Sequence, residues 1–150
     1  MTLLLVVACE EVHEPGSPCA AGDDPTLTIG VGETSYEPVP DNTEIPLVFG
    51  PQGGWHVTMA IEATYLDISE PWTAELTGTI DGALVANTVP WVDGRCNEAR
   101  GTTQGWNLQL IFSEDWEDVI DRDMEVHASV IDALGTKVTD DALIHVILED

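Results

Sequence analysis

Apolar and polar residues alternate one by one through much of this chain, most clearly from residue 55 to residue 63. A period of two is expected when one face of a β-strand packs on a core and the other faces solvent. The predicted core positions are Trp55, Val57, Met59, Ile61 and Ala63, with His56, Thr58 and Glu62 facing outward. The turn Gly50–Gly54 precedes them and suits glycine, which tolerates positive φ. We therefore predict a central strand here.

Similar short segments, separated by Gly, Pro, Asp and Asn, predict further strands. They cover residues 26–31, 44–49, 73–80, 83–89 and 106–112. Asp81 and Gly82 join two of them, and Asp-Gly is the strongest short-range indication of a two-residue type I′ hairpin. Residues 93–105 are predicted to form a polar loop. Ser113–Asp121 is predicted to form one helical turn with Ser113 as its N-cap.

The C-terminal segment, residues 124–148, carries a resemblance to a known architecture. Val126, Ala128 and Val130 alternate into the turn Asp132–Gly135, and strand-like residues follow at 136–138 and 144–148. This pattern resembles the last hairpin of immunoglobulin-like and fibronectin type III-like domains. The resemblance implies an all-β, antiparallel β-sandwich of about 7–9 strands with one short helical turn. The Cys, Trp, Cys framework of antibody domains is absent, so no subfamily is assigned.

Charge narrows the range of partners. The 150 residues suit one domain, and 4 Lys and Arg against 28 Asp and Glu leave a net charge of −24. Nucleic acids and anionic membrane surfaces require basic patches, so neither is an expected partner. An acidic surface either keeps an exported protein soluble or attracts cations.

The N-terminal run Leu3–Ala8 is apolar, ends in small residues and precedes Cys9. Val6-Val7-Ala8-Cys9 resembles the lipobox of bacterial lipoprotein signal peptides. The resemblance implies that residues 1–8 are a signal peptide, truncated because no basic residue precedes Cys9, and that Cys9 is lipidated. Glu10 is not the Asp that resembles an inner-membrane retention signal, which favours the outer membrane. A buried N-terminal strand is the alternative.

Residues 10–25 mix acids, Pro, Gly and Ser without periodicity, which is typical of a solvated tether. The expected organisation is therefore a tether over residues 9–25 and a folded domain over residues 26–150. With Cys9 assigned to lipid, Cys19 and Cys96 remain, and an exported compartment favours a disulfide between them. Closing so long a loop is worth about 4 kcal/mol. Two free thiols are the alternative.

The sequence contains residues suited to three kinds of binding site. No cofactor is expected, with Ca²⁺ as the alternative. Asp121, Asp123 and Glu125 have a spacing that suits this ion, although the segment is not an EF-hand and is otherwise read as a solvated acidic surface. His56 is either a copper ligand or an ordinary surface or hydrogen-bonded histidine. Trp72 and Trp91 adjoin prolines and are candidates for stacking on a sugar, whereas the other tryptophans lie on predicted core faces.

Catalytic motifs such as Gly-x-Ser-x-Gly, a P-loop or His-Glu-x-x-His are absent from the sequence. His127 and His145 are predicted to be three to five positions out of register in the last hairpin, too far apart to share a metal ion.

We therefore expect a lipid-anchored, non-enzymatic interaction or structural protein of the cell envelope. Its expected partners are the membrane, through the anchor, and an envelope or extracellular protein or glycan. A calcium-dependent, other cation-binding or carbohydrate-binding module is the alternative, and an enzyme of unknown class is third. Lipobox, acidic tether and sandwich together resemble uncharacterised lipoproteins of bacteria with large genomes.

Overall fold

A computed structural model of the protein describes residue 17, residues 19–51 and residues 53–149. The predictions for the signal peptide, for Cys9 and for residues 9–16 lie outside the described residues. The described strands are β1 (Thr26–Val31), β2 (Glu37–Pro38), β3 (Thr43–Phe49), β4 (Trp55–Thr64), β5 (Trp72–Ile80), β6 (Ala83–Thr88), β7 (Trp91–Val92), β8 (Arg95–Asn97), β9 (Thr102–Phe112), β10 (Arg122–Ile131) and β11 (Lys137–Leu148). A 3-10 turn, Trp116–Asp118, lies between β9 and β10.

The all-β class is confirmed, but the strands close into a ring. Seven of them pair in the cyclic order β3, β11, β10, β5, β6, β9 and β4, with β4 pairing again with β3. The β3–β11 pairing is parallel, whereas the prediction was wholly antiparallel. The number of described strands, 11, exceeds the predicted range. Closure leaves few unpaired strand edges, since each ring strand has a neighbour on both sides.

The central strand β4 organises the ring, as its alternation predicted. Val57, Met59 and Ile61 are all 0% exposed and lie among the core residues. One edge of β4 pairs with β9, while its other edge pairs with β3 at Val48↔His56 and with β1 along Thr26–Val31. The outer face of β4 is also partly covered. Ala60, on that face, is likewise 0% exposed.

Two turns follow directly from local sequence. Asp81 and Gly82 have φ of 50° and 78°, the two positive values that a type I′ hairpin requires, so this prediction is confirmed. The predicted helical turn is confirmed only as the short 3-10 turn. Asp115, rather than Ser113, is its N-cap residue, because the Ser113 hydroxyl donates to the Val85 carbonyl oxygen at 3.2 Å.

Strand β9 begins earlier than predicted and contains a β-bulge. Met59 opposes Leu108 and Ile61 opposes Gly105, so Trp106 and Asn107 together face the single intervening residue of β4. Asn107 has a φ of 58°, as the irregular backbone of a bulge allows. The extra residue reverses the inward and outward alternation, and Trp106 is released from the core face where the sequence placed it.

The predicted disulfide is confirmed. Cys19 and Cys96 are bonded, with a sequence separation of 77. Cys19 is 1% exposed, and the Gly22 amide donates to the Tyr65 carbonyl oxygen at 3.1 Å. Residues 19–25 are therefore held against the barrel, and the expected tether does not extend over them.

A candidate ligand-binding cleft

A cleft of about 200 Å³ lies beside β7, where the polar loop predicted over residues 93–105 instead forms β8 and the start of β9. Two tryptophans and two charged residues line it, with apolar or small residues beneath. The lining residues are Trp91, Asp93, Arg95, Trp106, Val92, Gly105 and Leu108. Pockets that enclose drug-sized ligands measure about 300–1,000 Å³, so this cleft suits one ring of a ligand.

Trp91 is exposed because of how the short strand β7 pairs with β5. Val92 opposes Trp72 and is 3% exposed, so its side chain faces inward. The alternation of a strand then turns Trp91 outward, where it is 78% exposed. So exposed an indole ring leaves a large apolar face open to contact, and tryptophan is enriched where proteins bind partners.

Two glycines bring the cleft's backbone close to its neighbours. A Cβ atom on Gly105 would lie 2.3 Å from Val92 Cγ1, and one on Gly94 would lie 3.0 Å from Trp72 Cζ2. Any larger residue at either position would push β7 or the β7–β8 connection away from the barrel. The glycines therefore set the position of Trp91 relative to the floor of the cleft.

Arg95 differs from the other arginines in its partners. Arg100 and Arg122 each bond a carboxylate, those of Glu62 and Asp81. Among the described residues, Arg95 has no carboxylate oxygen within 4.0 Å, and its guanidinium carbon lies 5.2 Å from the centroid of the Trp106 ring. Stacking leaves the edge of a guanidinium, with its N–H donors, available to a ligand.

A separate polar cluster lies on the outer face of β4, around Glu62. Its carboxylate accepts hydrogen bonds from Arg100 Nε at 2.8 Å, Thr102 Oγ1 at 2.9 Å and Gln104 Nε2 at 2.7 Å. Burial alone raises the pKa of Glu62, but these hydrogen bonds outweigh it, and the pKa lies below its ordinary value of 4.5. Arg100 also lies over the ring of Tyr36, whose pKa is raised by burial and by the Glu62 charge. The Glu62 carboxylate is satisfied by these three neighbouring side chains, so we interpret the cluster as structural.

His56 does not lie on an open surface, as the sequence predicted, but is 7% exposed. Its ring packs against Gly50 and lines a pocket of about 160 Å³ beneath the glycine-rich turn, with Gln109 and Ile111. Across the described part of the chain, no group of three His, Cys, Asp or Glu side chains is placed to hold a metal ion. The copper hypothesis for His56 therefore gains no support.

The other predicted site residues have mixed outcomes. Trp72 is 0% exposed and its Nε1 donates to the Asp67 carbonyl oxygen at 2.7 Å, so the prediction that it faces a ligand is wrong. Trp91 is exposed, and its role in binding stays a prediction. Asp121, directly before β10, and Asp123 and Glu125, at its start, are exposed. The Asp123 carboxylate lies 2.7 Å from His145 Nδ1, and calcium binding by the three acids stays a prediction.

The register predicted for the last hairpin is confirmed. Asp123 opposes His145 and Asp141 opposes His127, which puts the two histidines four positions apart along the ladder. His127 Nδ1 lies 2.7 Å from Asp141 Oδ1. Each histidine therefore pairs with an opposing carboxylate instead of with the other histidine.

Sequence reasoning missed three cleft residues, namely Asp93, Arg95 and Trp106. The missed indication was local: Trp91-Val92-Asp93-Gly94-Arg95 puts a tryptophan beside proline and one of only 4 basic residues within one short segment. Trp106 was assigned to the core because the bulge in β9 has no distinct pattern in the sequence.

No protein-family model matches the chain, and no curated protein matches it. Within the described residues, no helix is both long and apolar enough to cross a bilayer.

Proposed function

We propose that this protein is a non-enzymatic binding module of the bacterial cell envelope that holds a saccharide ring in the cleft. The observation that carries the proposal is Trp91, 78% exposed at the mouth of a cleft that Trp106 also lines. Indole rings present a negative π face, against which the weakly positive C–H groups of a sugar ring stack favourably. Binding by stacking needs no catalytic group.

The polar residues of the cleft complement this apolar contact. Asp93 offers carboxylate oxygens that accept hydrogen bonds from sugar hydroxyls, and Arg95 offers N–H donors to ring or hydroxyl oxygens. A few polar groups around an apolar floor are typical of small-molecule sites, where they orient the ligand. The cleft has both.

The envelope location is part of the proposal. The Cys19–Cys96 disulfide supports an oxidising, exported compartment, because such bonds are rare in the reducing cytoplasm. The lipobox-like residues before Cys9 support anchoring through a lipid at the outer membrane. The immunoglobulin-like resemblance of the last hairpin belongs to the proposal too, and the antiparallel pairing of β10 with β11 supports it.

Binding is tested with the disulfide-bonded protein on an array of immobilised saccharides. We expect selective retention that Trp91→Ala abolishes, with unchanged thermal stability because Trp91 is largely exposed. Phe49→Ala is the matched control, since Phe49 is an aromatic residue 61% exposed outside the cleft. Absence of retention, or equal loss in both variants, would overturn the saccharide proposal.

Anchoring is tested separately. With a complete signal peptide, the protein should partition into detergent, and Cys9→Ser should remain in the aqueous phase or unprocessed. Unchanged partitioning of the variant would refute lipidation at Cys9 and would leave the cleft proposal intact.

A further inference from the structure

Arg95 indicates which chemical class of sugar the cleft binds. In a chain with 28 acidic residues and 4 basic ones, an arginine without a carboxylate partner is unexpected. Arg100 donates from Nε and a terminal nitrogen to Glu62, and Arg122 donates to Asp81. Within the described residues, the side chain of Arg95 makes no hydrogen bond or ion pair and instead stacks on Trp106. Arg95 also lines the cleft.

We propose that the cleft binds a saccharide residue carrying a carboxylate, with the carboxylate paired to Arg95 and the sugar ring held by Trp91 and Trp106. This inference rests on the proposed saccharide function and specifies its substrate class. A guanidinium donates two parallel hydrogen bonds to a carboxylate, a geometry that neutral hydroxyls do not match. Trp106 lies against one face of the guanidinium and leaves its edge free for the carboxylate. This contact holds the Arg95 side chain in place and reduces the conformational entropy that it loses on binding.

Asp93 determines the orientation of the sugar. Its carboxylate repels a second carboxylate, so the acidic group of the ligand lies toward Arg95 and the hydroxyls lie toward Asp93. The net charge of −24 also repels anions at long range. Salt screens that repulsion beyond about 8 Å at an ionic strength of about 0.15 M, while the short Arg95 contact persists. The cleft therefore suits a single acidic sugar residue better than a long polyanion.

Matched pairs of methyl glycosides test the inference, because glucoside and glucuronide, or galactoside and galacturonide, differ only in a CH₂OH or a carboxylate. Binding is followed by chemical-shift changes of the tryptophan indole N–H signals at an ionic strength of about 0.15 M. We expect the acidic member of at least one pair to bind about tenfold or more tightly than its neutral partner. Arg95→Gln should remove that preference, because the acidic glycoside loses its charged partner and weakens more than the neutral one.

The controls separate this inference from the saccharide function. Arg122→Gln removes an equal charge outside the cleft and should preserve the preference. Trp91→Ala should weaken both members of a pair together. Equal binding of acidic and neutral glycosides, with sensitivity to Trp91→Ala, would overturn the carboxylate inference and support the saccharide function. Failure of every glycoside to shift an indole signal would overturn both.

Discussion

Replacing Asp132 is expected to destabilise the barrel far more than removing any exposed acid. Asp132 begins the turn between β10 and β11 and is 5% exposed. Its Oδ1 accepts hydrogen bonds from the amides of Leu134 at 3.0 Å and Thr136 at 2.7 Å, and its Oδ2 accepts one from the Asp67 amide at 2.9 Å. One side chain thus shapes the turn and joins it to the segment before β5.

The magnitude follows from these three bonds. A hydrogen bond to a charged group contributes about 1.5–3 kcal/mol, and a buried donor left without a partner costs about 1–3 kcal/mol. In Asp132→Asn, the side-chain amide oxygen can keep the two turn hydrogen bonds, while the amide nitrogen faces the Asp67 N–H and cannot accept from it. We therefore expect the free energy of unfolding to fall by about 2–4 kcal/mol. Asp132→Ala loses all three bonds, but water reaches the exposed turn, so we expect about 3–6 kcal/mol.

Equilibrium urea unfolding of the oxidised protein measures these losses, with the midpoint falling and the slope unchanged. Asp118→Asn is the matched control, because Asp118 is exposed and its side chain makes no hydrogen bond within the described residues. It also measures the effect of removing one negative charge from a chain of net charge −24. An Asp132→Asn variant within about 0.5 kcal/mol of this control would refute the reasoning.

Three further predictions concern other parts of the barrel. Ile61→Ala should cost about 2–5 kcal/mol, since Ile61 is 0% exposed, whereas Thr58→Ala should cost roughly 1 kcal/mol or less; equal costs in urea unfolding would contradict the strand's alternation. Because the pKa of Glu62 is lowered in the folded state, its carboxylate stabilises the fold fully above the unfolded pKa of 4.5, and that contribution is lost as pH falls through the folded pKa. The stability gap between wild type and Glu62→Gln should therefore narrow on acidification, and a gap independent of pH from neutral pH downward would exclude this role. Opening the Cys19–Cys96 bond by reduction should cost about 4.5 kcal/mol for a separation of 77 residues, and an unchanged melting temperature would show that the bond adds no stability.

Several features of this protein were predictable because they are local. The turn at Asp81-Gly82 depends only on the φ preferences of these two residues, and the hairpin formed as predicted. The core side of β4 followed from alternation alone, since Val57, Met59 and Ile61 repeat at the period of a strand. The Cys19–Cys96 bond followed from counting cysteines. The separation of His127 from His145 by four positions followed from the turn that sets the register.

Other features depend on residues distant in sequence, and the sequence did not predict them. Closure of the ring requires β3 to lie parallel to β11 and β4 to pair on both edges, which no local pattern encodes. Trp72 was predicted to be exposed because it follows a proline, but packing beneath Gly94 buries it. The candidate cleft depended on both kinds of information: its exposed Trp91 was visible in the sequence, but Trp106 joined it only through the bulge opposite β4.

By itself, the sequence determined the all-β class, the position of most strands, the disulfide and the strongly acidic charge, because each depends on composition or on neighbours a few residues apart. Only the tertiary structure decided the barrel, the burial of Trp72 and His56, and the meeting of Trp91, Arg95 and Trp106. Burial and proximity are set by which strands pair, and here the decisive pairs join residues far apart along the chain. A single extra residue in β9 was enough to turn a predicted core tryptophan into a wall of the cleft.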